Sequence, residues 1–206
     1  MSPAELASQL AEVGRHCYAR GWAPGTSGNF SAVAGRTPLR LLITASGLDK
    51  GTLTAGGLVE IDDGSQVLKG SGRPSAEAAL HLAIVRVRGA GAVLHTHSIW
   101  STILSEAAGP DGVALEGYEM LKGLAGVQTH EHRESLPVLD NTQDWAAAVP
   151  QVEGLLQRYP DAHGFLIRGH GLYTWGRDLA EARRHVETLE FLLEVMGRKR
   201  GTTWHQ

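Results

Sequence analysis

The stretch Gly91-Ala92-Val93-Leu94-His95-Thr96-His97-Ser98 decides how this chain is read. Its apolar run predicts a buried strand over 90–96, with a helix following from Ser98. In a strand, residues two apart point to the same face, so both imidazoles project together. That suits two ligands of one divalent metal, at about 2.0–2.1 Å per Zn–N bond. A pair of histidines hydrogen-bonding at a strand end would look the same in sequence.

Further along, Phe165-Leu166-Ile167 repeats the pattern, an apolar strand that runs into Arg168-Gly169-His170-Gly171. Residues 165–175 read as two strands joined at that histidine. Glycine neighbours let a backbone approach closely, so His170 is a third ligand candidate; an ordinary turn residue is the alternative. Three histidines with open positions would make a catalytic zinc site rather than a closed structural one.

The flanking sequence supplies alternating elements. Ser2-Pro3-Ala4-Glu5 offers an N-cap, a first-turn proline and a capping glutamate. Leu6, Leu10, Val13 and Cys17 continue it as an amphipathic stripe, which makes Cys17 a buried apolar residue. Residues 21–69 change to short strand-like runs between glycines, clearest at Leu39–Thr44 and Leu58–Asp62. Helices are expected over 75–87, entered through Pro74, and over 145–159, kinked or turned early at Pro150. A short helix is expected at 116–124 within an irregular stretch. The last helix opens on the capping spacing of Asp178 and Glu181, and the tail 198–206 is expected to be loose. Interleaved helices and strands without repeat or linker imply one α/β domain over 1–206.

Composition narrows the function. The 206 residues carry 19 Lys+Arg against 22 Asp+Glu, a net charge of -3, which gives no electrostatic reason to expect nucleic acid or an anionic membrane. No apolar run approaches the roughly 18 residues of a membrane span, and the N-terminus lacks a signal-peptide pattern. A soluble, cytoplasmic protein is the expectation. With one cysteine against 10 histidines and 26 glycines, imidazole chemistry and tight loops are favoured over thiols.

Three glycine-rich segments look like anion cradles: 26–31, 44–47 and 70–75, the last opening a helix. Such clusters also simply make turns. None fits the phosphate-loop or dinucleotide glycine pattern. Glu77 and His81, four apart after Pro74, are read onto one helical face, with Glu77 as ligand, base or first-turn glutamate. His130-Glu131-His132 follows no apolar strand and is read as a decoy, while His16, His163, His185 and His205 lack partners at suggestive spacing.

In order, T-S-G-N-F-S (26–31), I-T-A-S-G (43–47), R-P-S-A-E (73–77), G-A-V-L-H-T-H-S (91–98) and R-G-H-G-L-Y-T-W-G (168–176) resemble the class II aldolase/adducin family over nearly the whole chain. The resemblance implies a three-layer α/β/α domain around a mixed, mostly antiparallel sheet. It implies one Zn²⁺ per subunit on His95, His97 and His170, a small phosphorylated ketose as substrate, and a homotetramer with active sites near subunit interfaces. In the aldolases the residue matching Glu77 is the catalytic acid/base, and the phosphate site corresponds to Asn29, Ser46, Gly47 and Ser75. The segments 45–51 and 117–124 are similar instead to a dehydratase branch of methionine salvage. There Glu119 matches the proposed general acid/base, with Glu77 helping to bind or position.

Both branches pass through an enediolate of a 1-phosphoketose. A dehydratase removes the C3 proton and expels the C4 hydroxyl as water, whereas an aldolase breaks C3–C4. Dehydration is the expectation, with a sugar-phosphate aldolase or epimerase as the alternative; adducin-like interaction modules have no use for three ligands. The chain departs from the aldolase motif at Ser75-Ala76-Glu77, which has one serine where two are usual. Arg73 is expected to compensate through a bidentate phosphate contact. Met120, Trp100 and Leu121 are read as a methylthio pocket or as core. Residues 126–136 match no motif.

Overall fold

A computed structural model describes residues 2–201. Its helices are α1 (Pro3–Ala19), α2 (Ala78–Arg88), α3 (Ile99–Glu106), α4 (Trp145–Arg158) and α5 (Leu179–Gly201). Its strands are β1 (Asn29–Arg36), β2 (Leu39–Thr44), β3 (Leu58–Asp62), β4 (Val67–Lys69), β5 (Ala92–Thr96), β6 (Val113–Glu116), β7 (Arg133–Leu136), β8 (Val138–Leu139), β9 (Gly164–Ile167) and β10 (Gly171–Gly176). Eight of them form one sheet in the order β4-β3-β2-β1-β5-β10-β9-β8, while β6 and β7 pair separately. Among the described residues, only the β8–β9 pairing of the large sheet is parallel.

The layers follow from the two-residue period of the central strand. Ala92 and Leu94 of β5 pack into a core with Leu10, Val13 and Cys17 of α1 and Leu189 and Leu193 of α5. Val93, between them, joins the opposite core, with Leu80 and Ile84 of α2 and Val152 and Leu156 of α4. His95 shares Val93's parity and Thr96 shares Leu94's. The strand therefore presents His95 toward the α2/α4 side and Thr96 toward α5, where its hydroxyl donates to Glu190 Oε1 at 2.5 Å.

Local chemistry sets the boundaries. The Ser2 hydroxyl and Glu5 carboxylate form the expected capping box of α1. At α5, Asp178 accepts the Glu181 N–H at 2.8 Å, but the Glu181 carboxylate returns to the N–H of Arg177, one residue before the cap. Four expectations are revised. The 26–31 cradle is half strand, because Asn29, Phe30 and Ser31 pair with His95, Leu94 and Val93. The helix expected at 75–87 begins at Ala78, since the Ser75 hydroxyl takes the Glu77 N–H in a turn and Pro74 bridges Ala45. Glu77 thus caps α2 instead of riding on it. The helix expected at 145–159, by contrast, forms as α4 with Pro150 inside it, where the missing N–H costs one bond near its start. Finally, α5 continues to Gly201, into the stretch expected to be a loose tail; 202–206, with His205, lie outside the described residues. The expected short helix at 116–124 is a 3-10 turn over Glu119–Gly123.

Candidate metal centre

The sheet brings the three histidines to one point. His95 ends β5 between Asn29 of β1 and Tyr173 of β10. His97 follows, its N–H donating to the Trp22 carbonyl at 2.7 Å. His170 stands in the β9–β10 turn, where a Cβ on Gly171 would lie 1.9 Å from the Thr96 carbonyl oxygen. Only glycine permits that approach. Gly28, with φ of +71°, is also closely held, 2.7 Å from the His95 carbonyl oxygen if given a Cβ.

The three Nε2 atoms face each other, at 2.8 Å between His95 and His97, 3.0 Å between His97 and His170, and 3.3 Å between His95 and His170. His95 Nδ1 donates to the Leu172 carbonyl at 3.0 Å, which leaves its Nε2 lone pair for the cluster. Burial pushes the His95 imidazole well below its usual range, with His170 adding to the effect. Burial and the neighbouring rings push His97 down to about 3. Burial also lowers His170 despite the opposing pull of Glu77. The His95 Nε2 lone pair faces the Nε2 atoms of two further neutral rings, each of which can turn a lone pair to the same point. This donor set fits a divalent cation.

Glu77 reaches the same point. Its Oε2 lies 3.4 Å from His95 Nε2 and its Oε1 3.4 Å from His170 Nε2. The carboxylate is steered by Asn29, whose Nδ2 donates to Oε2 at 2.5 Å. Asn29 Oδ1 in turn accepts from His81 Nε2, and His81 Nδ1 accepts from the Ser31 hydroxyl at 2.7 Å. Burial holds His81 at about 4, so it stays neutral with its proton on Nε2. Tyr173 stacks on His95 at 4.0 Å between ring centroids; burial and the adjacent Glu77 push its phenol well above the usual range.

The other expected residues are placed less uniformly. The amide of Asn29 is committed to Glu77 and His81, and the Ser75 hydroxyl to the Glu77 backbone. Ser46 donates its N–H to the Arg73 carbonyl at 2.9 Å, which joins two of the glycine-rich segments; Ser46, Ser71 and Gly72 line a cavity of about 340 Å³. The Gly47 backbone, at φ of +78°, has open space around it, and Arg73 is exposed with its guanidinium unpaired among the described residues. Leu121 is buried, Trp100 packs on Gly197 and Met120 is exposed, so core packing accounts for the first two. Glu119 is not at the cluster of its own chain. Its side chain is 70% exposed and pairs with Lys122 at 2.7 Å and His130 at 3.8 Å.

Residues without a sequence signal also carry structure. Lys50 is buried and donates to the carbonyls of Thr26 and Leu48 at 3.0 and 2.9 Å, fastening the first glycine-rich loop. Burial lifts the Glu190 carboxyl, behind Thr96, to about 7. His132, read as part of a decoy, and His163, read as unpartnered, meet on Glu134. His185 Nε2 accepts the N–H of Ala125 at 3.0 Å, the residue whose carbonyl is bonded to His163 Nε2. The 30 or so residues separating His132 from His163 hid this grouping from a spacing argument.

Comparison with known proteins places these features. Residues 8–196 match the family described as "Class II Aldolase and Adducin N-terminal domain". A methylthioribulose-1-phosphate dehydratase of Marinobacter nauticus is 46% identical over 194 residues, covering 93% of this chain and 92% of the relative. That of Pseudomonas fluorescens is 43% identical, covering 92% and 91%. Among solved structures, L-fuculose-1-phosphate aldolase from Thermus thermophilus aligns with a TM-score of 0.75 at 26% identity, covering 96% of both chains. A sugar-phosphate aldolase from Thermotoga maritima shares the fold, with a TM-score of 0.70 at 19% identity over 98% and 97% of the chains.

Proposed function

The chain belongs to the class II aldolase and adducin family, and from that premise we propose that it dehydrates methylthioribulose 1-phosphate in methionine salvage, with Zn²⁺ held by His95, His97 and His170. The observation that carries this reading is the identity to dehydratases over more than nine-tenths of the chain, with the three-imidazole cluster assembled. Three neutral imidazole nitrogens are a donor set that Zn²⁺ favours, and the bound ion supplies Lewis-acid polarisation of the substrate oxygens.

The chain's own residues divide the remaining work. Glu77, fixed by Asn29, orients the substrate oxygens at the cluster. Arg73, with the open backbone at Gly47 and the cavity beside Ser46, receives the phosphate. Glu119 takes the C3 proton, and protonation of the C4 hydroxyl lets it leave as water. The enol so formed, with its hydroxyl on C3, gains a proton at C4 as the C3 hydroxyl gives one up, and becomes the 2,3-diketone phosphate.

Because Glu119 stands away from the cluster of its own chain, it acts on that of a neighbouring copy in a homotetramer. Supporting this assembly, Met120 beside Glu119 and Ile99 and Ile103 on α3 leave apolar surface exposed. A cytoplasmic setting suits the small phosphorylated substrate.

The aldolase alternative rests on one observation, the place of Glu77 against His95 and His170. Zinc-loaded protein incubated with methylthioribulose 1-phosphate, with and without chelator, separates the two by product mass. Chelator-sensitive loss of water is the expected result. Dihydroxyacetone phosphate with methylthioacetaldehyde would establish the aldolase instead.

A further inference from the structure

Residue His163 immediately precedes β9, while His170 follows it, so a second histidine group stands at the other end of that strand. His132 Nε2 and His163 Nδ1 approach the same oxygen, Glu134 Oε2, at 3.0 and 2.9 Å. Two of the atoms that point away from this meeting are anchored. Glu134 Oε1 accepts the His163 backbone N–H at 2.7 Å, and His163 Nε2 donates to the Ala125 carbonyl at 2.9 Å. A ligating imidazole whose far nitrogen is tied to a carbonyl, beside a carboxylate whose far oxygen is tied to an N–H, is a pair of ligands already oriented by their supports.

We propose that His132, Glu134 and His163 form a second divalent-cation site, of the two-histidine, one-carboxylate type, separate from the three-histidine cluster. Their ligand atoms all lie within 4.8 Å of one another. Glu134 is 1% exposed, and its buried charge, balanced by the His163 proton when no ion is bound, would be balanced by the cation when one is. The open side faces a cavity of about 590 Å³, lined by His132, His163 and His185 among others, which leaves room for water or a small ligand in the remaining positions. Mixed nitrogen and oxygen donors with open positions suit Zn²⁺, Co²⁺, Mn²⁺ or Fe²⁺.

Binding replaces the proton shared between His163 and Glu134, so one proton is released as the ion enters. The ligands come from the loop before β7, from β7 itself and from the residue before β9. A cation there staples the β6–β7 pair to the large sheet.

The site does not rest on the dehydratase reading and is tested without turnover. Metal-stripped protein is equilibrated with Zn²⁺ and its bound metal counted, with the ions located by anomalous diffraction at the zinc edge in wild-type crystals. Two ions per chain are expected in the wild type, one on each histidine group. His97→Ala should keep the ion on Glu134, and His132→Ala, a change at a half-exposed side chain, should weaken that ion about tenfold or more. A single ion per chain, with none left in His97→Ala, would overturn the proposal. So would a second ion whose anomalous peak lies away from Glu134, whichever variants fold.

Discussion

The two ends of β9 hold similar side chains in different electrostatic states. At the end near His170, three imidazole Nε2 atoms meet within 3.3 Å of one another, the Glu77 carboxylate stands beside them at 3.4 Å from two, and burial keeps each ring neutral. At the end near His163, a buried carboxylate stands between the rings, and its hydrogen bonds and charge raise the His163 imidazole despite burial. The first group offers neutral nitrogens that a cation can take without displacing a charge-balancing proton. The second is already balanced by a proton, which a cation must displace. A count of histidines cannot separate the two; the placement of the carboxylate does, at hydrogen-bond distance between the rings on Glu134 and 3.4 Å to the side on Glu77.

The sharpest break in that comparison is His95→Ala. Loss of the buried ligand should remove the metal from the first group and lower turnover by roughly a thousandfold or more, the scale of a lost Lewis acid. Metal analysis beside product assay checks it, and a metal-free, fully active variant would overturn the ligand assignment. Activity should also fall at acid pH, because protonated imidazole does not bind metal.

Glu119→Gln comes next. It should retain metal and fold while losing about 10²–10⁴ in turnover, the usual worth of a proton-transfer group. Mixed with His95→Ala subunits and reassembled, it should recover part of the activity, because a hybrid interface joins an intact cluster to an intact Glu119. No recovery would return proton transfer to Glu77 of the same chain.

A third test uses stability in metal-stripped protein. His81, held neutral at about 4, binds a proton in the unfolded chain before it does in the folded one. Its contribution is therefore complete above the ordinary histidine value of about 6.5 and is lost as pH falls toward 4, a difference of about 3 kcal/mol. His163 has the opposite sign. Its raised value gives stability that is complete below about 6.5 and lost as pH rises through the folded value. Unfolding curves of wild type, His81→Gln and His163→Gln across this range should show the two slopes removed separately.

The smallest effect is expected at Arg73. Arg73→Ala should raise KM for the phosphorylated substrate by about tenfold with kcat little changed, the effect of removing one charge-assisted hydrogen bond from substrate binding. Unchanged KM would leave the phosphate to backbone N–H groups alone.

What could be read from the sequence was what depends on neighbours in the chain. The period of Val93, His95 and His97 marks a strand with two imidazoles on one face, and the apolar runs at 165–167 and 171–175 place His170 at a strand turn. Capping residues mark α1 and α5 for the same local reason. The site was less legible wherever a side chain is claimed by a distant partner. Asn29 and Ser75 look like free donors in sequence, but folding commits them to Glu77.

The alternating α/β architecture and the seats of His95, His97 and His170 at strand ends are thus legible in the chain alone, because strand period and turn chemistry are short-range properties. Their meeting needs β5 beside β10. Only the assembled sheet settles that Glu77 joins the cluster while Glu119 faces outward, and that His132 and His163 meet on one carboxylate. Sheet order sets those distances. Residues far apart along the chain become neighbours through pairing across β1, β5, β10 and β9, and no local pattern encodes which strand lies beside which.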